Sequence, residues 1–185
     1  LAGSTPAIGR HEGFVEEAAR NGLQLIATVY GDWNYEEAAV VCDSIFRVHK
    51  EVDLIYAHND RMAIAAADMA KRFGMEVQVI GIDAAPEIGL KAVAEGKIEA
   101  TFLYPTEGYR LIRTALAILK KEPYERDVIL PNTSVVNLSN ADILLLQNEF
   151  LKEETRKVQL LKSQVDDFLT RHETQTYLFY LVVVI

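Results

Sequence analysis

The sequence predicts an α/β fold, a doubly wound parallel sheet followed by a long C-terminal helix. Short apolar, β-branched segments alternate with amphipathic segments of ten to sixteen residues, which is the pattern of βαβ units packed around a parallel sheet. The alternation stops near residue 138, and the stretch from Ser139 to His172 contains neither Pro nor Gly. A chain of this kind contains one compact domain and a helical extension.

The elements follow from local signals of periodicity and capping. Asn21-Gly22 ends the first helix, and Asp60 is expected to be the N-cap of the third, which Gly74 closes. The helices are predicted at 6–21, 35–50, 60–73, 87–96 and 106–121. The strands are predicted at 23–30, 52–57, 77–82 and 98–102, with an extended return at 128–137. A strand should also precede the first helix, so we expect the domain to start at or just inside that strand.

Composition narrows the function classes. The 185 residues carry a formal net charge of −8 and show no Lys/Arg cluster, so a nucleic-acid partner is not expected. The single cysteine, Cys42, lies on the apolar side of a predicted helix and is interpreted as a core residue. The four histidines are scattered without metal-binding spacing, so neither a metal nor another cofactor is predicted.

Polar residues follow the predicted strands where a ligand site of an open α/β sheet is expected, beyond the carboxyl ends. Asp83 follows one strand, and Tyr104 follows the next. The candidate ligand-binding residues, called the rim below, are Arg10, Trp33, Asn59, Asp83 and Tyr104.

The chemistry of the rim suits a polyol. A carboxylate such as Asp83 can accept two hydroxyl protons, and the guanidinium of Arg10 offers a planar fork of donors. Asn59 can donate and accept at once, while Trp33 can cover an apolar sugar face.

Each rim residue also has a purely structural explanation. Asp83 can cap the following turn, and Arg10 can be a solvated helix residue. Asn59 can belong to a turn. Trp33 can be a surface turn residue or contact another lobe, and Tyr104 can serve in packing. The functional interpretation therefore depends on their joint placement at one edge of the sheet.

The motifs around these residues resemble one known family. They are STPAIGRHEGF at 4–14, GDW at 31–33, VDLIYAHNDRMAIAA at 52–66, VQVIGIDAAPE at 77–87, AVAEGKIEATF at 92–102 and GYRLIRTALAILKKE at 108–122. Residues 1–138 resemble the C-terminal lobe of the periplasmic-binding-protein-like domains of ribose-binding proteins and lactose-repressor-type regulators. The resemblance implies that the N-terminal lobe, and with it half of the ligand cleft, lies outside this sequence.

The resemblance also implies roles for the rim. In that family, the residues matching Arg10, Asn59 and Asp83 contact the sugar, and the residue matching Trp33 walls the pocket in some members. Many members carry Gln where this chain has Tyr104, so the identity of the sugar does not follow from the resemblance.

Residues 139–174 are predicted to form a juxtamembrane helix that can pair as a dimeric coiled coil. Ser139 is the expected N-cap. A coiled-coil-like seam recurs at spacings of seven, three, four and three through Leu151, Val158, Leu161, Val165 and Phe168. For the first turns, packing of the helix on its own domain is the alternative.

Residues 175–185 are predicted to begin a transmembrane helix. From Thr176 to Ile185 the sequence has no charged residue, although a complete span needs about 20 apolar residues. A binding lobe, a stalk and a membrane segment in this order resemble the periplasmic sensor region of hybrid two-component histidine kinases.

The sequence thus predicts a carbohydrate-sensing domain of a membrane-anchored, homodimeric receptor on the periplasmic face of the bacterial inner membrane. Two alternatives stay open, a sugar-binding protein of a transport system and the ligand-binding domain of a lactose-repressor-type transcription regulator. An enzymatic role is not expected of this segment, because the carboxylates near the edge lack a nucleophile–base pair.

Overall fold

The structure is a computed structural model, and it describes residues 3–105, 107–128 and 133–183, with side chains described through residue 172. It divides into two compact units, Leu1–Leu144 and Leu145–Ile185.

The first unit alternates helices and strands as the sequence predicts. The helices are α1 (Thr5–Arg20), α2 (Tyr35–Val48), α3 (Asp60–Arg72), α4 (Lys91–Ala94) and α5 (Gly108–Lys120). The strands are β1 (Leu54–Tyr56), β2 (Gln78–Asp83), β3 (Ala100–Leu103) and β4 (Ser134–Asn137). Helix α6 (Ala141–Val183) begins in the first unit and continues through the second.

The four strands form one sheet in the order β1-β2-β3-β4. The first three are parallel, with Leu54 beside Gln78 and Ile80 beside Ala100. Strand β4 pairs antiparallel to β3, with Val136 opposite Thr101. The predicted α/β class with a mostly parallel sheet is confirmed, and the extended return of the chain supplies its antiparallel edge.

Helices α2 and α3 cover one side of the domain. Phe46, Met69 and Ala70 form a buried cluster, and Cys42 packs against it. Burial raises the pKa of the Cys42 thiol to about 11, so the thiol stays protonated and serves as a small apolar group. Its interpretation as a core residue fits this environment.

The predicted strand at 23–30 is wrong. The segment between α1 and α2 has no strand pairing in the described residues. Leu23 and Tyr30 are 53% and 64% exposed, although their β propensity is high. A strand needs a hydrogen-bonded neighbour, and within the described chain none lies beside this segment. Its residues instead border, with α1, α2 and β1, a groove of about 540 Å³.

Three smaller predictions also need correction. The predicted helix at 87–96 is a π-helical turn, Pro86–Leu90, followed by the short α4. Asn59, not Asp60, is the N-cap of α3, because its side-chain oxygen accepts the Met62 N–H. Helix α6 begins at Ala141, two residues beyond the predicted cap Ser139.

Helix α6 is continuous as far as the structure describes it. Seam residues Leu151 and Leu161 are 63% and 60% exposed, so the apolar seam lies open in the single chain. Among the described residues, no helix combines the length and apolar content that crossing a bilayer requires. The side chains of the predicted membrane segment at 175–185 lie outside the described part.

Candidate functional site

The carboxyl ends of the three parallel strands bring the rim together. Asp83 is the last residue of β2, and Tyr104 follows β3 directly. Asn59 comes three residues after the end of β1, at the start of α3. Because parallel strands end at the same edge, these side chains share one side of the sheet.

Arg10 is the centre of the site. Its side chain is 14% exposed and forms an ion pair with Asp83, at 3.3 Å between Nη2 and Oδ1. Its Nη1 donates to the backbone carbonyl of His58. The guanidinium carbon lies 5.4 Å from the Trp33 ring centroid and 5.0 Å from that of Tyr104, both within cation–π range. Helix α1 thus fixes one cation against two strand ends and two aromatic rings.

Asn59 connects the third strand end to the aromatic wall. Its side-chain nitrogen donates to the backbone carbonyl of Trp33 at 3.0 Å, while its oxygen caps α3 through the Met62 N–H. Trp33 and the preceding Asp32 both have positive φ, at 62° and 44°. For non-glycine residues this conformation is uncommon, and the Asn59 contact helps to hold it.

The two charged rim residues differ in accessibility. The Asp83 side chain is 43% exposed, about three times the exposed fraction of Arg10. Burial raises the pKa of Asp83, while the charge of Arg10 and its hydrogen bond oppose that rise. Arg10 therefore holds the Asp83 carboxylate in place, while part of the carboxylate stays accessible to a ligand.

His58 belongs to this cluster, although the sequence reasoning did not select it. Its ring lies 6.2 Å from that of Trp33 and 5.4 Å from that of Tyr56. Burial lowers the pKa of His58, and the nearby His11 and Arg10 lower it further, which favours the neutral imidazole at neutral pH. Its position in the sequence, beside Asn59 and after a predicted strand, could have identified it as a site residue.

An apolar concavity adjoins the rim. It has a volume of about 330 Å³ and contains Arg10 and Tyr104 together with side chains from the strands. Phe14 stacks on Tyr56 inside it, with ring centroids 4.5 Å apart. Neither aromatic was among the predicted site residues, because the sequence pattern around each is equally consistent with a residue of the hydrophobic core.

All five predicted site residues lie in one connected network, in which each contacts Arg10 or Trp33. The arrangement offers a fork of donors, a half-open carboxylate, an amide and aromatic surface. These groups can grip a molecule that carries hydroxyls on its edge and C–H groups on its faces.

Comparisons with known proteins find the same fold. A solved fructose-binding periplasmic domain of a hybrid two-component system matches with a TM-score of 0.84 and 37% identity, covering 89% of this chain and 56% of that one. A solute-binding protein of an ABC transporter from Bacillus halodurans, solved with bound myo-inositol, matches with a TM-score of 0.72 and 25% identity, covering 78% of this chain and 51% of that one.

Sequence comparison gives a related result. The ribose import binding protein of Escherichia coli (strain K12) is 31% identical over 125 residues, which are 66% of this chain and 42% of that protein. The chain thus spans less than half the length of this relative. These relatives are named as binding proteins or domains. This confirms the expectation that the segment is a binding domain and not an enzyme.

A family model described as a periplasmic binding protein domain matches residues 1–123. That range contains every predicted rim residue and all strands of the sheet except β4. The chain belongs to the periplasmic binding protein family.

Proposed function

We propose that this chain is part of a carbohydrate-sensing domain of a membrane-bound signal-transduction receptor, a sensor histidine kinase. A small sugar binds at the rim, in a cleft that a second lobe completes. Closure of the lobes on the sugar moves the stalk helix.

The observation that carries this proposal is the arrangement around Arg10. Its guanidinium is anchored by Asp83 and the His58 carbonyl before any ligand arrives, so little side-chain freedom remains to be lost on binding. The half-exposed Asp83 can accept sugar hydroxyls at the same time as it holds the cation. Preorganised, charge-assisted donors and acceptors of this kind suit a neutral polyol.

The names of the relatives support a sugar as the ligand. They describe binding of fructose, import of ribose and bound myo-inositol, all of them small polyols. The Tyr104 ring contacts Arg10, and Tyr104 is still 50% exposed, so a flat C–H face of the sugar can pack against it. Calorimetry with a panel of sugars distinguishes among them.

The stalk supports a sensing role. The seam residues of α6 are each more than half exposed along the single helix, which suits pairing with a second copy. They are Leu151, Val158, Leu161, Val165 and Phe168. In this proposal two chains pair through α6, and the apolar segment at 175–185 starts a membrane anchor on the periplasmic face of the bacterial inner membrane.

A transport role is the second candidate, and the ribose import relative favours it. Phosphate incorporation into the full-length protein in membranes, measured with and without D-fructose and D-ribose, separates the two. A sugar-dependent change supports sensing. Sugar uptake without such a change supports a transport protein.

Calorimetry on the complete ligand-binding region, with a panel that includes D-fructose, D-ribose and myo-inositol, tests the sugar assignment. We expect at least one sugar to bind, and we expect Asp83→Ala to weaken that binding by about a hundredfold or more, because the Arg10 charge loses its partner. Asp43→Ala is the matched control, since Asp43 also pairs with an arginine, Arg47, but on the exposed face of α2.

Unchanged binding in Asp83→Ala would remove Asp83 from the site. Failure of every polyol in the panel to bind the wild-type region would overturn the sugar assignment itself.

A further inference from the structure

Asp60 is a buried carboxylate behind the rim. It is 2% exposed, and its two oxygens accept hydrogen bonds from different elements. Oδ1 accepts from the Thr101 hydroxyl on β3 at 2.5 Å, and Oδ2 accepts from the Ala85 N–H at 3.2 Å. A first-turn helix residue therefore links α3 to β3 and to the loop after β2.

That loop has an uncommon backbone conformation. Asp83 and Ala84 are consecutive non-glycine residues with positive φ, at 114° and 50°. Residues in such conformations are energetically unfavourable and persist where surrounding contacts hold them. The turn that places the Asp83 carboxylate beside Arg10 is thus strained and requires support.

The support comes from Asp60 by two routes. Ala84 donates its N–H to the Thr101 hydroxyl at 3.3 Å, and that hydroxyl donates in turn to Asp60. Ala85 donates directly to the second carboxylate oxygen. Both backbone N–H groups that follow Asp83 are therefore satisfied by one buried side chain and its hydroxyl partner.

The surroundings leave this carboxylate little room to move. A Cβ placed at Gly89 would overlap the Asp60 carboxylate, and one at Gly81 would lie 2.7 Å from its Oδ1. Two glycines from separate elements therefore make the space in which the carboxylate fits.

We propose that Asp60 is a positioning residue of the sugar site, which fixes the strained Asp83–Ala84 turn through Thr101 and the backbone of Ala85 and so sets where the Asp83 carboxylate meets the sugar. The proposal rests on the proposed function for its sugar and deepens it. Asp60 itself contacts no rim side chain through the hydrogen bonds described above.

A purely structural role is the competing explanation, because any buried carboxylate that is deprived of its donors destabilises the fold. Three variants separate the two roles. Thr101→Val removes the hydroxyl at nearly constant shape, and Thr101→Ser retains it. Phe46→Leu weakens the distant cluster between α2 and α3 and serves as the control for lost stability alone.

Two measurements on the complete ligand-binding region decide the matter, both at a temperature where every variant is folded. Calorimetry gives the affinity for D-fructose and D-ribose. NMR gives the hydrogen exchange of the Ala84 and Ala85 amides and the carboxyl chemical shift of Asp83, which need no sugar. If Thr101→Val does not fold, Asp60→Asn takes its place, because an amide has a single acceptor oxygen and cannot replace both carboxylate oxygens.

We expect Thr101→Val to weaken sugar binding about tenfold, the effect of losing one buried hydrogen bond. The two amides should exchange faster and the Asp83 carboxyl signal should shift. Thr101→Ser should restore affinity, and Phe46→Leu should leave it unchanged.

An equal loss of affinity in Phe46→Leu and Thr101→Val would overturn the proposal, as would an unchanged affinity in Thr101→Val. If the wild-type region binds no polyol of the panel, the proposed function fails separately, and the NMR result alone decides. Unaltered Asp83 and amide signals in Thr101→Val would then overturn the positioning role.

Discussion

At the scale of single residues, Arg10 makes most of the contacts that connect the site. It contacts a carboxylate, a backbone carbonyl and two aromatic rings from four separate segments. Only a planar, delocalised cation can form directional hydrogen bonds at its edge while its faces meet aromatic rings.

Replacing Arg10 with lysine tests this geometry. Arg10→Lys keeps the charge but loses the fork, so we expect sugar affinity to fall about ten- to hundredfold, which corresponds to ~1.4–2.7 kcal/mol. Calorimetry measures the change. Arg20→Lys on the same helix is the control, because Arg20 pairs with exposed Glu16 and Glu17. Equal effects of the two substitutions would contradict the role given to Arg10.

Asp60 predicts a pH dependence of stability. Burial raises its pKa from 3.8 to about 6, and the charge of Asp83 adds to the rise against hydrogen bonds from Thr101 and the backbone. Between these pH values the folded chain binds more protons than the unfolded chain. The free energy of unfolding therefore falls as pH rises from about 4 to 7, by about 2 kcal/mol from this group.

Urea unfolding of the wild type and of Asp60→Asn at pH 4 and pH 7 measures this contribution. Because an amide does not titrate, the wild type should lose more stability than the variant over that range. Contributions from other groups, such as His58 with its lowered pKa, are present in both proteins and cancel. A difference between the proteins that is the same at both pH values would show that Asp60 does not titrate there.

At the scale of elements, the start of α3 combines a cap with a binding group. Asn59 accepts the Met62 N–H and donates to the Trp33 carbonyl, so one side chain stabilises the helix and holds the aromatic turn. These two contacts use different atoms and can be separated by substitution.

Asn59→Asp should keep the cap and lose the donor, because a carboxylate only accepts. We expect it to weaken sugar binding at least about tenfold. Because Asn59 is buried, a carboxylate oxygen facing the Trp33 carbonyl should also lower thermal stability. Asn59→Ala should lose both contacts, and the lost cap should cost about 1 kcal/mol in unfolding free energy. Paired denaturation and calorimetry check this, and full sugar affinity in Asn59→Asp would refute the link to Trp33.

The elements also show how far sequence reasoning extends. Apolar, β-branched runs place β1, β2 and β3 correctly, and their ends locate Asn59, Asp83 and Tyr104 at one edge. The segment at 23–30 has the same composition but lacks a hydrogen-bonded neighbour among the described residues, and pairing is a tertiary property that composition does not contain.

Long-range contacts account for the other differences. Asn and Asp are equally good N-caps, so the choice between Asn59 and Asp60 depends on Thr101, which lies far along the chain. The pairing of Arg10 with Asp83 spans 73 residues. It follows from the fold and from the family resemblance, not from local spacing.

At the scale of the whole molecule, the proposed receptor requires α6 to pair. Leu161→Asp places a charge in the seam and should weaken dimerisation of the full-length protein about a hundredfold or more. Ser163→Asp, two residues on and away from the seam, should have little effect. Sedimentation velocity over a range of concentrations measures both, and a monomeric wild type would contradict the dimer.

The proposed sugar site requires Arg10, Asn59 and Asp83 to converge on a carbohydrate. A crystal structure of the complete ligand-binding region with the tightest-binding sugar of the panel would reveal this contact. We expect sugar hydroxyls within hydrogen-bonding distance of the Arg10 guanidinium and the Asp83 carboxylate, with a ring face against Trp33 or Tyr104. A sugar bound elsewhere, with the Arg10–Asp83 pair facing only solvent, would contradict it.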